Sequence, residues 1–188
     1  MNMKKDNLKL YFVAIVPGKP VYEEVLAFKE EFKERFNSKA ALRSPPHITL
    51  HMPFQWKEEK EQLLVSSLED LTNGQTPFDI KVEGFGAFPP RVIYVNVIES
   101  NALKAIFQAV QKNARIDWHI YPKSTNSRPF KPHMTIAFRD LKKLEFFKAW
   151  EEFENRKYIA QFLAEDICLL KHNGNSWDIL HRSTLAEK

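Results

Sequence analysis

The stretch Pro46-His47-Ile48-Thr49 recurs as Pro132-His133-Met134-Thr135, and apolar residues alternate through both copies: Ile48, Leu50 and Met52 in the first, Met134, Ile136 and Phe138 in the second. Successive side chains of a β-strand point to opposite faces. Each stretch is therefore predicted to be a strand that buries its apolar set and turns its histidine and threonine the other way. Once, that is the solvated face of any antiparallel sheet. Twice, with the same proline before the histidine and the same threonine two residues on, it constrains the chain to a duplicated fold.

The surrounding periodicity repeats as well. A strand is predicted over residues 8–17, then a helix over 20–37 with Val21, Val25, Phe28, Phe32 and Phe36 on one face. The His47 strand follows, then a helix over 57–72 carrying Leu64, Leu68 and Leu71 and ending at Asn73-Gly74, then a strand over 78–88 ending at Pro89-Pro90. The pattern restarts with a strand over 91–97 and a helix over 100–114 with Leu103, Ile106, Phe107 and Val110 inward. After the His133 strand come a helix over 141–155 and strands near 158–171 and 175–183, with Asn173-Gly174 as a hairpin turn. His47 lies 39 residues past Leu8 and His133 lies 42 past Arg91, so the two hold equivalent places. The expectation is an α+β fold: one bilobal domain over residues 1–188, built from two β-α-β-α-β halves at about 8–90 and 91–183. Its antiparallel sheets form a central groove walled by His47 and Thr49 on one side and His133 and Thr135 on the other.

Two histidines across one groove suit in-line displacement at phosphorus. With an unperturbed pKa near 6.5, imidazole can be neutral or charged near neutral pH. The neutral ring takes a proton from the attacking water or hydroxyl, and the charged one protonates the leaving oxygen. Each transfer is worth about 10²–10⁴ in rate. The threonine hydroxyls, one pleat along, would donate to the non-bridging phosphate oxygens. Arg43, Arg128 and Lys131 flank the motifs and are candidate substrate-binding cations.

Other chemistries fit less well. His47 and His51 are four apart, a spacing that converges on a metal only in a helix, and no H-E-x-x-H glutamate is present. No metal or other cofactor is expected. Cys168, the single cysteine, sits in the apolar run DICLLKH and reads as core packing rather than a nucleophile, and one cysteine permits no disulfide framework. A net charge of +4 suits an anionic partner without demanding one. The basic start and the YFVAIV run are too short and too interrupted for a secretory signal, so an opening strand is expected, in a cytoplasmic monomer with no membrane partner. In RIDWHIYPKSTNSRPFK, residues 115–131, Trp118, Tyr121 and Phe130 are interleaved with Arg115, Lys123, Arg128 and Lys131. These could form a loop that stacks a base and holds phosphate, or an ordinary solvated loop with its aromatics tucked beneath. His51 points with His47 on a regular strand, whereas His119, His172 and His181 read as structural.

HITL at 47–50 and HMTI at 133–136, with FPPRVIYVNV before the second half, resemble the paired H-x-T-x motifs of the two-histidine phosphoesterase superfamily, which includes 2'-5' RNA ligase and RNA cyclic phosphodiesterase proteins. The similarity covers nearly the whole chain. It implies metal-independent chemistry on 2',3'-cyclic or 2'-5' phosphodiester bonds of RNA ends or nucleotides, with His47, Thr49, His133 and Thr135 in the roles argued above. The RNA ligase branch continues its second motif as H-x-T-L-A-R. Here Phe138 holds the arginine's place and Arg139 comes one residue later. A nucleotide- or RNA-binding module without turnover, or a 2'-5' RNA ligase, are the alternatives to a hydrolase.

Overall fold

The apolar periodicities resolve into four helices and eight strands in the computed structural model, which describes residues 7–121 and 129–186. In chain order these are β1 (Leu8–Ile15), α1 (Val21–Phe36), a 3-10 turn (Ala40–Arg43), β2 (Ile48–Lys57), α2 (Glu61–Thr72), β3 (Phe78–Phe88) and β4 (Val92–Val97). Then follow α3 (Asn101–Ile116), β5 (His133–Ala137), α4 (Lys143–Phe153), β6 (Ile159–Ala164), β7 (Asp166–His172) and β8 (Trp177–Thr184). The helices start and stop where their chemistry changes. In α1, Glu23 and Glu24 occupy the first turn and Lys33 and Arg35 the last, which complements the helix dipole, and Asn37 closes the helix in the left-handed conformation. At the start of α3, the Ser100 side chain accepts a hydrogen bond from the Leu103 N–H at 3.2 Å.

Two four-stranded antiparallel sheets result, in the orders β2-β1-β7-β8 and β5-β4-β3-β6. Each histidine strand is an edge strand, paired with the strand that opens its half. The halves interleave beyond that point. Although β3 follows the first motif, it joins the second sheet, while β7 and β8 return to the first. The helices cross over too: α1 connects β1 to β2 but lies against β5 and β6, and α3 connects β4 to β5 but lies against β2. Neither sheet relies on its own first helix alone, although α3 also touches β3. Each lobe needs the other half of the chain, and the crossing draws β2 and β5 together.

The main core lies between the sheets and these helices and takes Tyr11, Val13 and Ile15 from β1. The alternate residues Phe12, Ala14 and Val16 form a second, smaller cluster with Cys168 and Leu170, partly covered by Tyr22, Trp177 and Ile179. β1 is thus buried on both faces, as suits an interior strand. The run predicted as one strand over 158–171 is two, broken at Glu165, because the chain changes sheets there: β6 pairs with β3 and β7 with β1. A slip in the alternation marks the break, with Phe162 and Ala164 buried before it and Ile167 and Leu169 after it. No described helix is long and apolar enough to cross a membrane.

Candidate active site

Both histidines sit at strand mouths behind a proline, and both rings are tied down in the same way. The Nδ1 atom of His47 lies 2.8 Å from the Pro45 carbonyl oxygen, and that of His133 lies 2.7 Å from the Lys131 carbonyl oxygen. A carbonyl can only accept, so Nδ1 carries the hydrogen and donates it, which leaves the lone pair of each neutral ring on Nε2. The packing is duplicated as well. Phe12 of β1 lies 4.9 Å from the His47 ring at 51°, and Tyr94 of β4 lies 4.8 Å from the His133 ring at 50°. Trp177 stands edge-on to Phe12 at 4.7 Å, and Phe88 edge-on to His133 at 5.3 Å.

The edge strands β2 and β5 lie against each other, and a charge on His133 opposes a charge on His47. Thr49 pairs with Ala14, on the Phe12 face of the sheet, and Thr135 pairs with Tyr94. Both threonines are half-buried, and neither hydroxyl is hydrogen bonded to a described residue. The site therefore gathers two imidazoles with free Nε2 atoms and two hydroxyls whose hydrogens are uncommitted.

Its electrostatics favour neutral rings. Burial, then the charge of Lys29, then that of His133 push the His47 pKa down to about 4, against the raising effect of the Pro45 carbonyl. Burial lowers His133 too; the Lys131 carbonyl opposes that and the Lys131 ammonium adds to it. Lys131 itself is exposed, and its Nζ lies 5.1 Å from the Phe88 ring and 5.4 Å from the Tyr94 ring, the two rings that hold His133. Arg43 is exposed at the end of the 3-10 turn, which lies against β5. Arg128, with Lys123, lies outside the described residues. Among the described residues, no three of His, Cys, Asp or Glu are grouped to hold a metal.

The structure overturns some sequence expectations and decides between others. His51 does not share the His47 face. Register shifts around Val13 pair His51 with that core residue, and its ring packs on Phe54 at 5.4 Å and Trp118 at 6.4 Å. The same bulging turns Met52 outward to 70% exposure, although simple alternation would bury it. Trp118 is no platform for a base: it is buried, donates from Nε1 to Ser67 Oγ at 3.0 Å and stacks on Phe54. Phe130 is stacked on Phe107 at 3.9 Å, leaving Tyr121 exposed. Phe138 lies past the end of β5 with the Arg139 guanidinium 5.0 Å over its ring. Cys168 is buried, with its thiol pushed up to about 12 by burial and by Asp166, which suits packing and not nucleophilic attack.

Two residues escaped the sequence reading. Lys29 lies within the apolar stripe Val21-Val25-Lys29-Phe32-Phe36 of α1, at the i, i+4 spacing that marks buried positions, and is buried there. Asp140, just after β5, accepts from Ser38 Oγ at 2.8 Å, Lys39 N at 3.0 Å and Ala40 N at 2.9 Å. A carboxylate from beyond the second motif thus holds the approach to the first.

The model of a family described as the 2'-5' RNA ligase superfamily matches residues 21–176. The chain is 28% identical over 183 residues to the "Putative phosphoesterase" of Oceanobacillus iheyensis, covering 94% of this chain and 98% of that one. It is 30% identical over 127 residues to the Bacillus cytotoxicus protein of the same name, covering 66% and 67%. Among solved structures, TT0787 of Thermus thermophilus superposes with a TM-score of 0.67 at 19% identity over 94% of this chain and 97% of that one. E. coli LigT complexed with 3'-AMP superposes with a TM-score of 0.68 at 18% identity over 95% and 99%. These structural likenesses establish a shared fold.

Proposed function

The chain belongs to the 2'-5' RNA ligase superfamily, and from that premise we propose that it is a metal-independent phosphodiesterase of the two-histidine type. Its substrates are the 2',3'-cyclic or 2'-5' phosphodiester bonds of RNA ends or nucleotides. The observation that carries this reading is the duplicated tether: two imidazoles, each with Nδ1–H held by the carbonyl two residues upstream, each presenting Nε2, each with an uncommitted threonine hydroxyl two residues on. Naming of relatives as phosphoesterases and the LigT complex with 3'-AMP support the same class of substrate.

In hydrolysis of a 2',3'-cyclic phosphate, one neutral Nε2 takes a proton from water as its oxygen bonds to phosphorus. The opposite imidazolium gives its Nε2 proton to the departing ribose oxygen as that P–O bond breaks. Thr49 and Thr135 donate to the non-bridging oxygens, where negative charge builds up in the transition state. Lys131, held over the rings that pack His133, and Arg43, on the turn against β5, supply positive charge for the phosphate. The proton ends where the next turnover needs it only after exchange with solvent, so the two roles interconvert between hydrolysis and its reversal. A panel of 2',3'-cyclic nucleotides, 2'-5' dinucleotides and cyclic phosphate sugars, incubated with chelator and analysed for ring-opened or cleaved product, tests the proposal. Turnover that survives the chelator is expected. No turnover on any member, with nucleotide binding retained, would assign the groove to a binding module. Turnover that chelation abolishes and zinc restores would overturn metal independence.

A further inference from the structure

Lys29 is the one buried lysine among the described residues, and it lies where the first motif is built. Its Nζ donates to the Ser44 carbonyl at 2.9 Å and to the Ala41 carbonyl at 3.1 Å, both in the turn that delivers His47. Pro45, the next residue after Ser44, provides the carbonyl to which the His47 ring is tied. No carboxylate forms an ion pair with Lys29 among the described residues, although burying an ammonium normally demands one. Ordinary core packing does not call for a lysine in an apolar helix stripe.

We propose that Lys29 is a positioning residue for His47: its ammonium clamps the Ala41–Ser44 turn from which the histidine hangs and, with no carboxylate paired to it, sets a positive charge behind that imidazole. The inference rests on the reading of His47 and His133 as the acid/base pair. Other charged groups face the same region. Asp140, after β5, caps the turn at Ser38, Lys39 and Ala40; Arg43 belongs to the turn itself; His133 and Lys131 approach from β5. Burial is the largest influence opposing protonation of His47; among the charges, Lys29 comes first and His133 after it. On His133 the opposing charge is Lys131. The second motif has no buried cation behind it among the described residues. On this proposal His47 is the ring that accepts the proton and His133 the one that carries it. Lys29 is itself strained by burial, which brings its pKa down to about 7, so its charge is lost within the physiological range.

The test is an NMR titration of the His47 and His133 Cε1–H signals in wild type, Lys29→Met, Lys29→Arg and Lys131→Met, which needs no turnover. In Lys29→Met the His47 midpoint should rise toward the ordinary imidazole value of about 6.5, while His133 moves less. Lys29→Arg should keep His47 low, and Lys131→Met should move His133 instead. An unmoved His47 midpoint in folded Lys29→Met would overturn the proposal, since a purely structural lysine would leave the titration alone. If that variant fails to fold, the wild-type His47 signal decides: it should show a second inflection near pH 7 as Lys29 loses its proton, and a curve without one counts equally against the role. Because the readout is ionisation, absence of phosphodiesterase activity would sink the proposed function and leave this result standing.

Discussion

At the scale of single residues, the tethers on Nδ1 leave Nε2 as the open nitrogen of each imidazole, and burial lowers the pKa of both rings; in the proposed reaction these two facts set which atom moves the proton and at what pH. Replacing either His47 or His133 by alanine should lower kcat/KM on a 2',3'-cyclic nucleotide by roughly 10² or more. The double replacement should cost far less than the product of the two, because acid and base act on one displacement. Thr49→Val, which keeps the shape and removes the hydroxyl, should raise the barrier by about 1.5–3 kcal/mol, the value of a hydrogen bond to a charged group. Additive losses in the double variant would show that the histidines do not share a step. With one ring neutral and one charged, kcat/KM should be bell-shaped in pH. Its acid limb falls near the His47 value of about 4 and its alkaline limb, set by His133, lies below 6.5. The kcat profile should stand at higher pH, because bound phosphate favours imidazolium. Coincident profiles would argue against phosphate lying between the rings.

At the scale of elements, the site depends on how β3, β4 and the turn before β2 support the rings. Gly86 pairs directly with Tyr94, and a Cβ there would run into the Tyr94 ring, which packs the His133 imidazole. Gly86→Ala should therefore lower kcat by displacing Tyr94 and with it His133, whereas Gly18→Ala, where a Cβ meets open space, should change stability by less than about 0.5 kcal/mol. Equal effects in the two variants would mean that the Tyr94 shelf does not position the histidine. Asp140→Ala leaves the Ser38 hydroxyl and two backbone N–H groups without their acceptor. It should cost about 1–3 kcal/mol in chemical denaturation and reduce activity through the His47 approach, though Asp140 follows the other motif. A stability loss with full activity retained would confine Asp140 to the fold.

At the scale of the whole molecule, the crossed helices bind the lobes into one unit. Arg35 pairs with Glu152 and Arg156 with Glu31, and Tyr158 donates to Glu24, so α1 is fastened to the second lobe by side chains as well as by packing. The packing this creates is also a source of pH dependence in stability. His47, His51 and His133 all have folded pKa values below the ordinary 6.5. Between 6.5 and those values the unfolded chain binds protons that the folded chain refuses, so stability present above 6.5 is lost as pH falls toward about 4. The melting temperature should decline through that window, and His47→Ala should flatten part of the decline. A wild-type melting temperature unchanged between pH 6.5 and 4 would contradict the crowded environment drawn for these rings.

Local pattern alone was enough to predict most of the succession of strands and helices and to single out His47, Thr49, His133 and Thr135 as candidates, because period-2 and period-3.6 signals need no distant partner and the motif occurs twice. That pattern carried no trace of which sheet each strand would join. Nothing local distinguishes β3, which pairs with β4, from a strand completing the first sheet, and the exchange of α1 and α3 between lobes is a long-range choice made by packing. The fate of single residues was decided at that level too. Bulging in β2 against β1 turned His51 into the Phe54 and Trp118 contact and left Met52 exposed, because a register slip of one residue reverses a strand's faces. Lys29 went unread although it stands at the i, i+4 spacing of an apolar stripe, because its proposed role exists only once α1 has crossed to the other lobe and the Ala41–Ser44 turn has closed over its ammonium.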